Sequence, residues 1–205
     1  MTVVLSLWST SVMSWRRLTL LMSNDTRCPF CGGATEVAAP RCENQPVQAQ
    51  PRRALALVLD NIRSAHNVGV MLRTAESLGV QHVYHCGITA PSDHPKVAKA
   101  ALGSQLRLLT STHRDAAAMV AQLIAAGTTV WALESVAGAD NIFAVAAVAP
   151  RTGTLALVVG NEVAGVDPAV LALCQRCVAL PMVGDKNSLN VGHAWAAAGY
   201  VLAFG

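Results

Sequence analysis

Three polar segments, each following a run of apolar residues, hold most of the side chains that could do chemistry. The first segment contains Asn67 and Arg73, the second Glu162, and the third Ser188 and Asn190. An Arg guanidinium suits a phosphate or a carboxylate, because its planar fork binds two oxygens. Amide, hydroxyl and carboxylate groups can orient a reacting group through hydrogen bonds. Taken singly, the segments are also explained by a surface Arg on a helix, a turn with a solvated Glu, and a capped helix.

The second segment reads GNEVAG over residues 160–165 and follows the apolar run 155–159. Glycines at the end of a strand let the backbone approach a ligand or adopt a left-handed turn. These two glycines are five residues apart, so the segment lacks the GxGxxG spacing of a dinucleotide-binding loop. This spacing counts against a nucleotide-binding oxidoreductase.

Alternating apolar strands and helices position the three segments from residue 52 onward. The pattern predicts strands at 55–60, 81–86, 106–110, 128–133, 154–159 and 177–181 and helices at 66–79, 95–102, 115–126, 168–174 and 189–204. Repeated strand–helix–strand units with continuous apolar strands predict an α/β fold with a parallel sheet covered by helices on both faces. Ligands bind such sheets at the carboxyl ends of the strands, which the three polar segments follow.

The starts of two predicted helices bear on the site. Asn67 is a candidate cap of the first helix, and Ser188 is a candidate cap of the last, which would place Asn190 in its first turn. Arg73 follows Asn67 by six residues, about 600° around a helix, and so lies well off its face. Both side chains can still border one cleft if Asn67 lies in the loop before the helix.

Composition bounds the class of protein. The chain has 205 residues, of which 53% are hydrophobic and 4% aromatic, and a net charge of +3. This length predicts one domain, alone or with a small appendage, and the hydrophobic fraction excludes wholesale disorder. A charge of +3 permits a nucleic-acid partner without indicating one. The uncharged runs 116–133 and 187–205 are interrupted by polar residues, so we expect no membrane span and no membrane partner.

Residues 1–51 are predicted to form an N-terminal extension, and residues 52–205 the main domain. The extension ends in a Pro- and Gln-rich linker over 38–51 and contains a cysteine knuckle made of Cys28, Cys31 and Cys42. Zinc takes four ligands, and Gln45 stands where a fourth thiolate would be. The knuckle is either a decayed zinc ribbon or one that recruits a distant ligand, and bound zinc is the less favoured interpretation.

The N-terminus and the cysteines also bear on localisation. Arg16 and Arg17 are followed by an apolar run of about five residues, where an export signal needs roughly 7–15. Met22 offers an alternative start to Met1. The CxxC spacing of the cysteines fits a reducing compartment better than a disulfide scaffold, so the expected location is the cytoplasm.

In this order, the three polar segments resemble the motifs of the SpoU family, also called TrmH, within the SPOUT superfamily of RNA methyltransferases. The segments read NVGVMLRTA at 67–75, GNEVAG at 160–165, and LPM at 180–182 followed by SLNV at 188–191. The resemblance runs from residue 55 to residue 204. Each motif alone is weak, but three in the right order after the right elements are highly specific.

The resemblance implies a fold, an activity and an assembly. It implies a trefoil-knotted SPOUT fold, an exception to chain-threading rules that periodicity alone cannot predict. It implies transfer of a methyl group from S-adenosylmethionine to a ribose 2′-hydroxyl in tRNA or rRNA. It also implies a homodimer with an active site shared across the interface.

The resemblance further implies roles for individual residues. Cofactor contacts are implied for Gly160, Leu180 and Leu189, and catalytic or RNA-binding roles for Asn67, Arg73, Glu162, Ser188 and Asn190. Arg73 either accepts the proton of the hydroxyl or clamps the adjacent phosphate; the second role is kept open because a guanidinium is a poor base. Glu162 is expected to orient other groups more than to abstract a proton.

Two functional alternatives stay open at this point. One is an active methyltransferase, and the other is an RNA-binding protein of the same fold without turnover. The complete polar set favours the enzyme, since an inactive relative should have lost some of its members. His193, one helical turn after Asn190, either faces the cleft or packs at the dimer interface.

Charge and helix composition bear on the expected dimer. From Arg52 onward the chain has 11 Lys and Arg against 9 Asp and Glu, a net charge of +2. One subunit therefore offers RNA a weak field, and a dimer would double the charge. The final helix carries Trp195, Ala196, Ala197 and Gly199, which either allow close approach of a second subunit or pack within their own chain.

Overall fold

The computed structural model describes residue 47 and residues 49–149, 151–185 and 188–205. The described residues from 49 onward form a parallel β-sheet with helices on both faces. Its seven strands are β1 (Ala54–Asp60), β2 (His82–Cys86), β3 (Thr110–His113), β4 (Thr129–Leu133), β5 (Asp140–Asn141), β6 (Thr154–Val159) and β7 (Arg176–Ala179). The helices in these ranges are α1 (Ala65–Ser77), α2 (Pro95–Ala101), α3 (Ala116–Ala125), α4 (Ile142–Ala146), α5 (Pro168–Leu173) and α6 (Val191–Phe204).

The strand order is β3-β2-β1-β6-β4-β7-β5, and every neighbouring pair is parallel. This confirms the predicted α/β fold with a parallel sheet, while the trefoil knot stays a prediction. The chain builds outward from β1 through β2 to β3 and then crosses to the other side, where β6 pairs with β1. Such a switch in strand order opens a crevice at the carboxyl ends of the strands, where ligands bind in open α/β sheets.

The two faces of the sheet bury different helices. On β1, Leu55, Leu57 and Leu59 pack in the core formed with α1 and α6, while Ala56 and Val58 face the core formed with α3 and α5. Because side chains alternate along a strand and both faces are covered, the strands read as continuous apolar runs.

Helix α6 packs against α1 of its own chain. Trp195 is fully buried, and its indole N–H donates to the Met71 carbonyl at 3.1 Å. A Cβ added at Gly199 would lie 2.6 Å from Leu78 Cδ1, so a larger residue there would require the Leu78 side chain to move. Of the two alternatives for this helix, Trp195 and Gly199 therefore pack within their own chain, whereas Ala197 is exposed and the dimer stays a prediction.

The strand predicted at 106–110 is also wrong. A 3-10 helix occupies Ser104–Arg107, and β3 begins only at Thr110. Leu102 and Gly103 both have positive φ, 53° and 93°, which turns the backbone before the predicted strand. Leu106 and Leu109 are 84% and 63% exposed, so of the apolar residues that suggested a strand only Leu108 packs against the core.

Some sequence predictions concern residues that lie wholly or partly outside the described ranges. Cys28, Cys31 and Cys42 lie outside the described ranges, and the division into 1–51 and 52–205 stays a prediction. Within those ranges, the side chains form no group of three or more His, Cys, Asp or Glu suited to a metal ion. Within the same ranges, every helix is too short or too polar to cross a lipid bilayer.

Candidate active site

The loop after β1 leads into α1 through a serine cap. The Ser64 Oγ accepts a hydrogen bond from the Asn67 backbone N–H at 3.2 Å, so helix α1 begins at Ala65 and Asn67 lies in its first turn. The prediction that Asn67 caps this helix from the preceding loop is wrong. Since Ser64 satisfies the helix terminus, the Asn67 side-chain amide remains available for other partners.

Glu162, in the loop after β6, binds the start of α1. Its Oε1 accepts from Asn67 Nδ2 at 2.9 Å and from the Ser64 N–H at 3.0 Å. Its Oε2 accepts from the Arg63 N–H at 2.8 Å. Asn190 continues the network, because its Nδ2 donates to Asn67 Oδ1 at 3.2 Å. Side chains from all three polar segments therefore meet in one hydrogen-bond network.

These hydrogen bonds set the charge state of Glu162. Partial burial raises the pKa of the carboxyl, but hydrogen bonds from the Arg63 N–H, the Asn67 amide and further backbone N–H groups outweigh burial and leave the pKa below its ordinary value. A carboxylate held by donors in this way is ionised at neutral pH and is a weak base. The arrangement suits the expected orienting role of Glu162.

Asn190 also begins the last helix. Its Oδ1 accepts from the Gly192 N–H at 2.9 Å, and α6 starts at Val191. The predicted cap at Ser188 is therefore wrong by two residues. The Asn190 amide oxygen holds the helix end while its amide nitrogen binds Asn67, so this one side chain ties α6 to α1. Ser188 is exposed and lines the neighbouring cleft.

A cleft of about 260 Å³ lies beside this network at the carboxyl ends of β4, β6 and β7. All three residues with implied cofactor contacts line it, together with three of the polar set; these residues are Gly160, Leu180, Leu189, Glu162, Ser188 and Asn190. Asn67 reaches the cleft through its bonds to Glu162 and Asn190.

The loop after β6 folds back on itself around its first glycine. Asn161 and Gly165 exchange two backbone hydrogen bonds, each 2.9 Å long. A Cβ added at Gly160 would lie 2.2 Å from the Val166 nitrogen, so the returning backbone excludes any side chain there. Asn161 Nδ2 also donates to the Asn61 carbonyl at 2.8 Å, which joins this loop to the loop after β1. Gly160 thus has a packing role besides any contact with a ligand.

Arg73 lies apart from the network formed by Asn67, Glu162 and Asn190 within one chain. It is exposed on α1, lies outside the lining of the cleft, and makes no hydrogen bond or ion pair with the described residues. Because Asn67 is helical, the condition under which both side chains would border one cleft is not met, and the two residues stay on different faces of α1. His193 is likewise exposed and outside the cleft lining.

The loop after β4 also contributes to the cleft, and sequence reasoning missed it. Leu133, the last residue of β4, lines the cleft together with Glu134 and Ser135 of the loop. The strand before them was predicted, but its place between β6 and β7 was not. That order is set by long-range pairing, which local patterns do not encode.

Comparison with known sequences gives a consistent group of relatives. The SpoU rRNA Methylase family matches residues 54–200. The chain is 33% identical over 142 residues to the 23S rRNA (guanosine(2553)-2′-O)-methyltransferase RlmP of Bacillus subtilis, covering 68% of this chain and 54% of that protein. It is 30% identical over 142 residues to the tRNA (guanosine(18)-2′-O)-methyltransferase of Escherichia coli K12, covering 69% and 59%. The chain thus spans little more than half the length of these curated relatives.

Solved structures agree with the sequence comparison. A putative RNA methyltransferase of the TrmH family from Porphyromonas gingivalis has a TM-score of 0.66 and 27% identity, covering 78% of this chain and 62% of that one. A structure described as giving insight into the 2-OH methylation of C/U34 on tRNA has a TM-score of 0.63 and 27% identity, covering 74% and 95%. The described fold is therefore similar to folds found in RNA ribose methyltransferases.

Proposed function

Because the chain belongs to the SpoU rRNA Methylase family, we propose that it transfers a methyl group from S-adenosylmethionine to a ribose 2′-hydroxyl of tRNA or rRNA. The observation that carries this proposal is the hydrogen-bond network joining Asn67, Glu162 and Asn190 at the edge of the cleft. Relatives named as 2′-O-methyltransferases of both tRNA and rRNA support the substrate class.

The cleft has the chemistry that S-adenosylmethionine requires. Leu180 and Leu189 provide apolar walls for a base, and Gly160 presents backbone without a side chain. The charged residues among the described lining are Glu134 and Glu162, which suit a cationic ligand. When bound, the cofactor supplies an electrophilic methyl group on a sulfonium.

The polar network has spare hydrogen-bonding capacity for a ribose. Each side-chain amide has two N–H groups and two acceptor lone pairs, and Asn67 uses one of each on Glu162 and Asn190. Asn67 and the exposed Ser188 hydroxyl can therefore hold a ribose while Glu162 fixes the orientation of Asn67. Methyl transfer is an in-line displacement, so alignment of the attacking oxygen is the main contribution that such fixed groups can make.

Arg73 leads to the proposal of a shared site in a homodimer. Within one chain its guanidinium is exposed and apart from the Asn67 network. We propose that Arg73 of one subunit completes the site of the other, where it either accepts the proton of the 2′-hydroxyl or clamps the adjacent phosphate. Such a dimer would also present more positive charge to RNA than one subunit. A cytoplasmic location is part of this proposal, since tRNA and rRNA are its substrates.

One experiment tests the activity directly. The full chain is titrated with S-adenosylmethionine by calorimetry, then incubated with the labelled cofactor and unmodified tRNA and rRNA, and the nucleosides are analysed by mass spectrometry. The proposal predicts cofactor binding and ribose-methylated nucleosides. RNA binding without cofactor binding or methyl transfer would instead identify an RNA-binding protein without turnover. Comparing nucleosides from wild-type and deletion strains would name the RNA and the nucleotide.

A mixing experiment tests the shared site. Arg73→Ala and Glu162→Ala subunits are prepared separately, combined under conditions that exchange subunits, and assayed. If each site takes Arg73 from one subunit and Glu162 from the other, half of the random dimers regain one intact site of two, which restores roughly a quarter of wild-type activity. Sedimentation should show a dimer at micromolar concentration. A fully active monomer would overturn the shared-site proposal.

A further inference from the structure

Glu134 is a charged residue of the cleft to which the motifs assign no role. It directly follows β4, the strand that lies between β6 and β7 in the sheet, and it lines the cleft with its neighbours Leu133 and Ser135. Its position at the carboxyl end of a central strand is where residues that bind ligands are found in open α/β sheets.

The Glu134 carboxylate is fixed between two loops of the cleft. Its Oε1 accepts from the Ser135 N–H at 2.9 Å, and its Oε2 accepts from the Val166 N–H at 2.9 Å. The second bond reaches the loop that returns over Gly160. Gly165 has a φ of +75°, and a Cβ added there would lie 2.5 Å from the Glu134 Oε2. The absence of a side chain at Gly165 lets the carboxylate lie against the loop backbone, and the two hydrogen bonds hold its charge in one place.

The two charged residues of the described lining, Glu162 and Glu134, differ in the hydrogen bonds that their carboxylates accept. Glu162 accepts three hydrogen bonds from Arg63, Ser64 and Asn67 at the start of α1. Glu134 accepts two, both from backbone N–H groups of the loops that form the cleft. Lys and Arg are absent from the described lining, so the fixed side-chain charge there is negative. A negative wall favours a cation over a neutral molecule of the same shape.

Methyl transfer removes one positive charge from the cofactor, because the sulfonium of S-adenosylmethionine becomes the neutral thioether of S-adenosylhomocysteine. We propose that Glu134 is a specificity-determining residue of the cleft: its fixed carboxylate favours the cationic methyl donor over the neutral product. This inference rests on the proposed use of S-adenosylmethionine. It explains why a carboxylate is held at the end of β4, where a neutral side chain could accept one of the same hydrogen bonds.

Two Glu134 variants separate charge from position. Glu134→Gln removes the charge and keeps one acceptor at the same chain length. Glu134→Asp keeps the charge and shortens the side chain by one methylene. Glu76→Gln is the matched control, since Glu76 is a half-buried carboxylate on α1 that pairs with Arg107 and lies outside the cleft lining. Thermal unfolding and circular dichroism confirm that each variant is folded before binding is measured.

Calorimetry with three ligands tests the inference on the full chain. The ligands are S-adenosylmethionine, neutral S-adenosylhomocysteine and sinefungin, which carries an amine in place of the methyl sulfonium. Glu134→Gln should lower the preference for the two cationic ligands over S-adenosylhomocysteine by roughly two- to fivefold, a modest factor because the site is open to solvent. Glu134→Asp should weaken all three ligands together, and Glu76→Gln should change none.

The outcomes separate this inference from the proposed function. If Glu134→Gln weakens all three ligands by the same factor, Glu134 only positions the loops and the selectivity inference is wrong, while the proposed function stands. If Glu134→Asp shifts the preference as much as Glu134→Gln, position and not charge is responsible, which also overturns it. If the wild-type chain binds none of the ligands, the proposed function fails and this inference fails with it.

Discussion

Two regions of the molecule differ in how many hydrogen bonds one chain provides to their functional side chains. One is the part of the site around Glu162, and the other is the exposed face of α1 that carries Arg73. Glu162 has donors from Arg63, Ser64 and Asn67, and Asn190 joins the same network. Arg73 has no hydrogen-bond or ion-pair partner among the described residues. One chain thus orders the groups that we propose hold a ribose and a cofactor, and it leaves Arg73, the cation proposed to act on a phosphate or on the reacting hydroxyl, without a fixed position.

This difference has an energetic basis. A carboxylate that accepts several backbone N–H bonds loses little on ordering, because the loops around it are already fixed by the sheet. A long Arg side chain keeps its rotamer entropy until a partner binds it. A group used by a second subunit or by RNA can therefore remain solvated in the free chain, whereas groups that must align the reacting atoms are ordered in advance.

Replacing Arg73 by Ala should give the largest effect. We expect methyl transfer to fall by at least about 100-fold while cofactor affinity stays within about threefold, because a group that stabilises developing charge acts on the reaction step. Turnover with saturating RNA and calorimetry with S-adenosylmethionine measure the two quantities. Arg107→Ala is the control, since Arg107 is an exposed Arg paired with Glu76. Loss of cofactor binding with RNA binding intact would contradict the assignment of Arg73.

The substitution Gly160→Ala should perturb the ordered part of the site, around the loop that carries Glu162. The new Cβ would lie 2.2 Å from the Val166 nitrogen, so the loop that carries Glu162 has to move. We expect a loss of stability of about 1–3 kcal/mol, as for overpacked positions, and a loss of cofactor affinity of about tenfold. Chemical denaturation and calorimetry measure these effects.

Gly184→Ala provides the stability control for Gly160→Ala. A Cβ at Gly184 would meet no atom of the described chain within 4 Å, and its φ lies outside the left-handed region. Its free energy of unfolding should match that of the wild type. If Gly160→Ala and the wild type have equal free energies of unfolding, the close approach of the loop backbone to Gly160 does not contribute to stability, which would contradict this prediction.

The pH dependence of stability should reveal the Glu162 network at a smaller scale. The folded-state pKa of Glu162 lies below its ordinary value of about 4.3. Its contribution is therefore present above about pH 4.3 and is lost as the pH falls through the lower folded-state pKa. Because Glu162 is exposed, we expect the free energy of unfolding of the wild type to exceed that of Glu162→Gln by less than about 1 kcal/mol at pH 7. Urea denaturation across pH 3–7 measures this, and a difference that does not shrink in acid would rule out the ionised network as its source.

Sequence reasoning found the parts of the site that local patterns encode. The apolar runs of β1 and β6 could be predicted, because strand burial is visible in one sequence. Asn67, Glu162 and Asn190 were identified through the resemblance to the family motifs, since each segment taken alone has a plain structural explanation. The sequence alone does not separate Ser64 from Asn67 as the cap of α1, since both residue types cap helices. In the structure Ser64 is the cap, and the Asn67 side chain instead binds Glu162, which lies 95 residues away.

Features set by long-range pairing could not be predicted. Glu134 faces the cleft because β4 lies between β6 and β7, an order fixed by tertiary contacts. The apolar residues Leu106 and Leu109 suggested a strand, but both are exposed around a 3-10 helix. The two-residue strand β5 and the five-residue helix α4 are too short for periodicity to reveal.

Removing residues 1–48 should have the smallest effect. The motifs and the cleft all lie after β1, and the Arg52 N–H donates to the Ala203 carbonyl at 2.7 Å, so a fragment that begins at Ala49 keeps this contact with α6. If the predicted linker uncouples the extension, affinity for S-adenosylmethionine should stay within about twofold of the full chain. Calorimetry on both forms measures it, with circular dichroism as the check that the fragment is folded. A folded fragment that cannot bind the cofactor would show that the extension belongs to the preorganised side of the site and that the boundary at residues 51 and 52 is wrong.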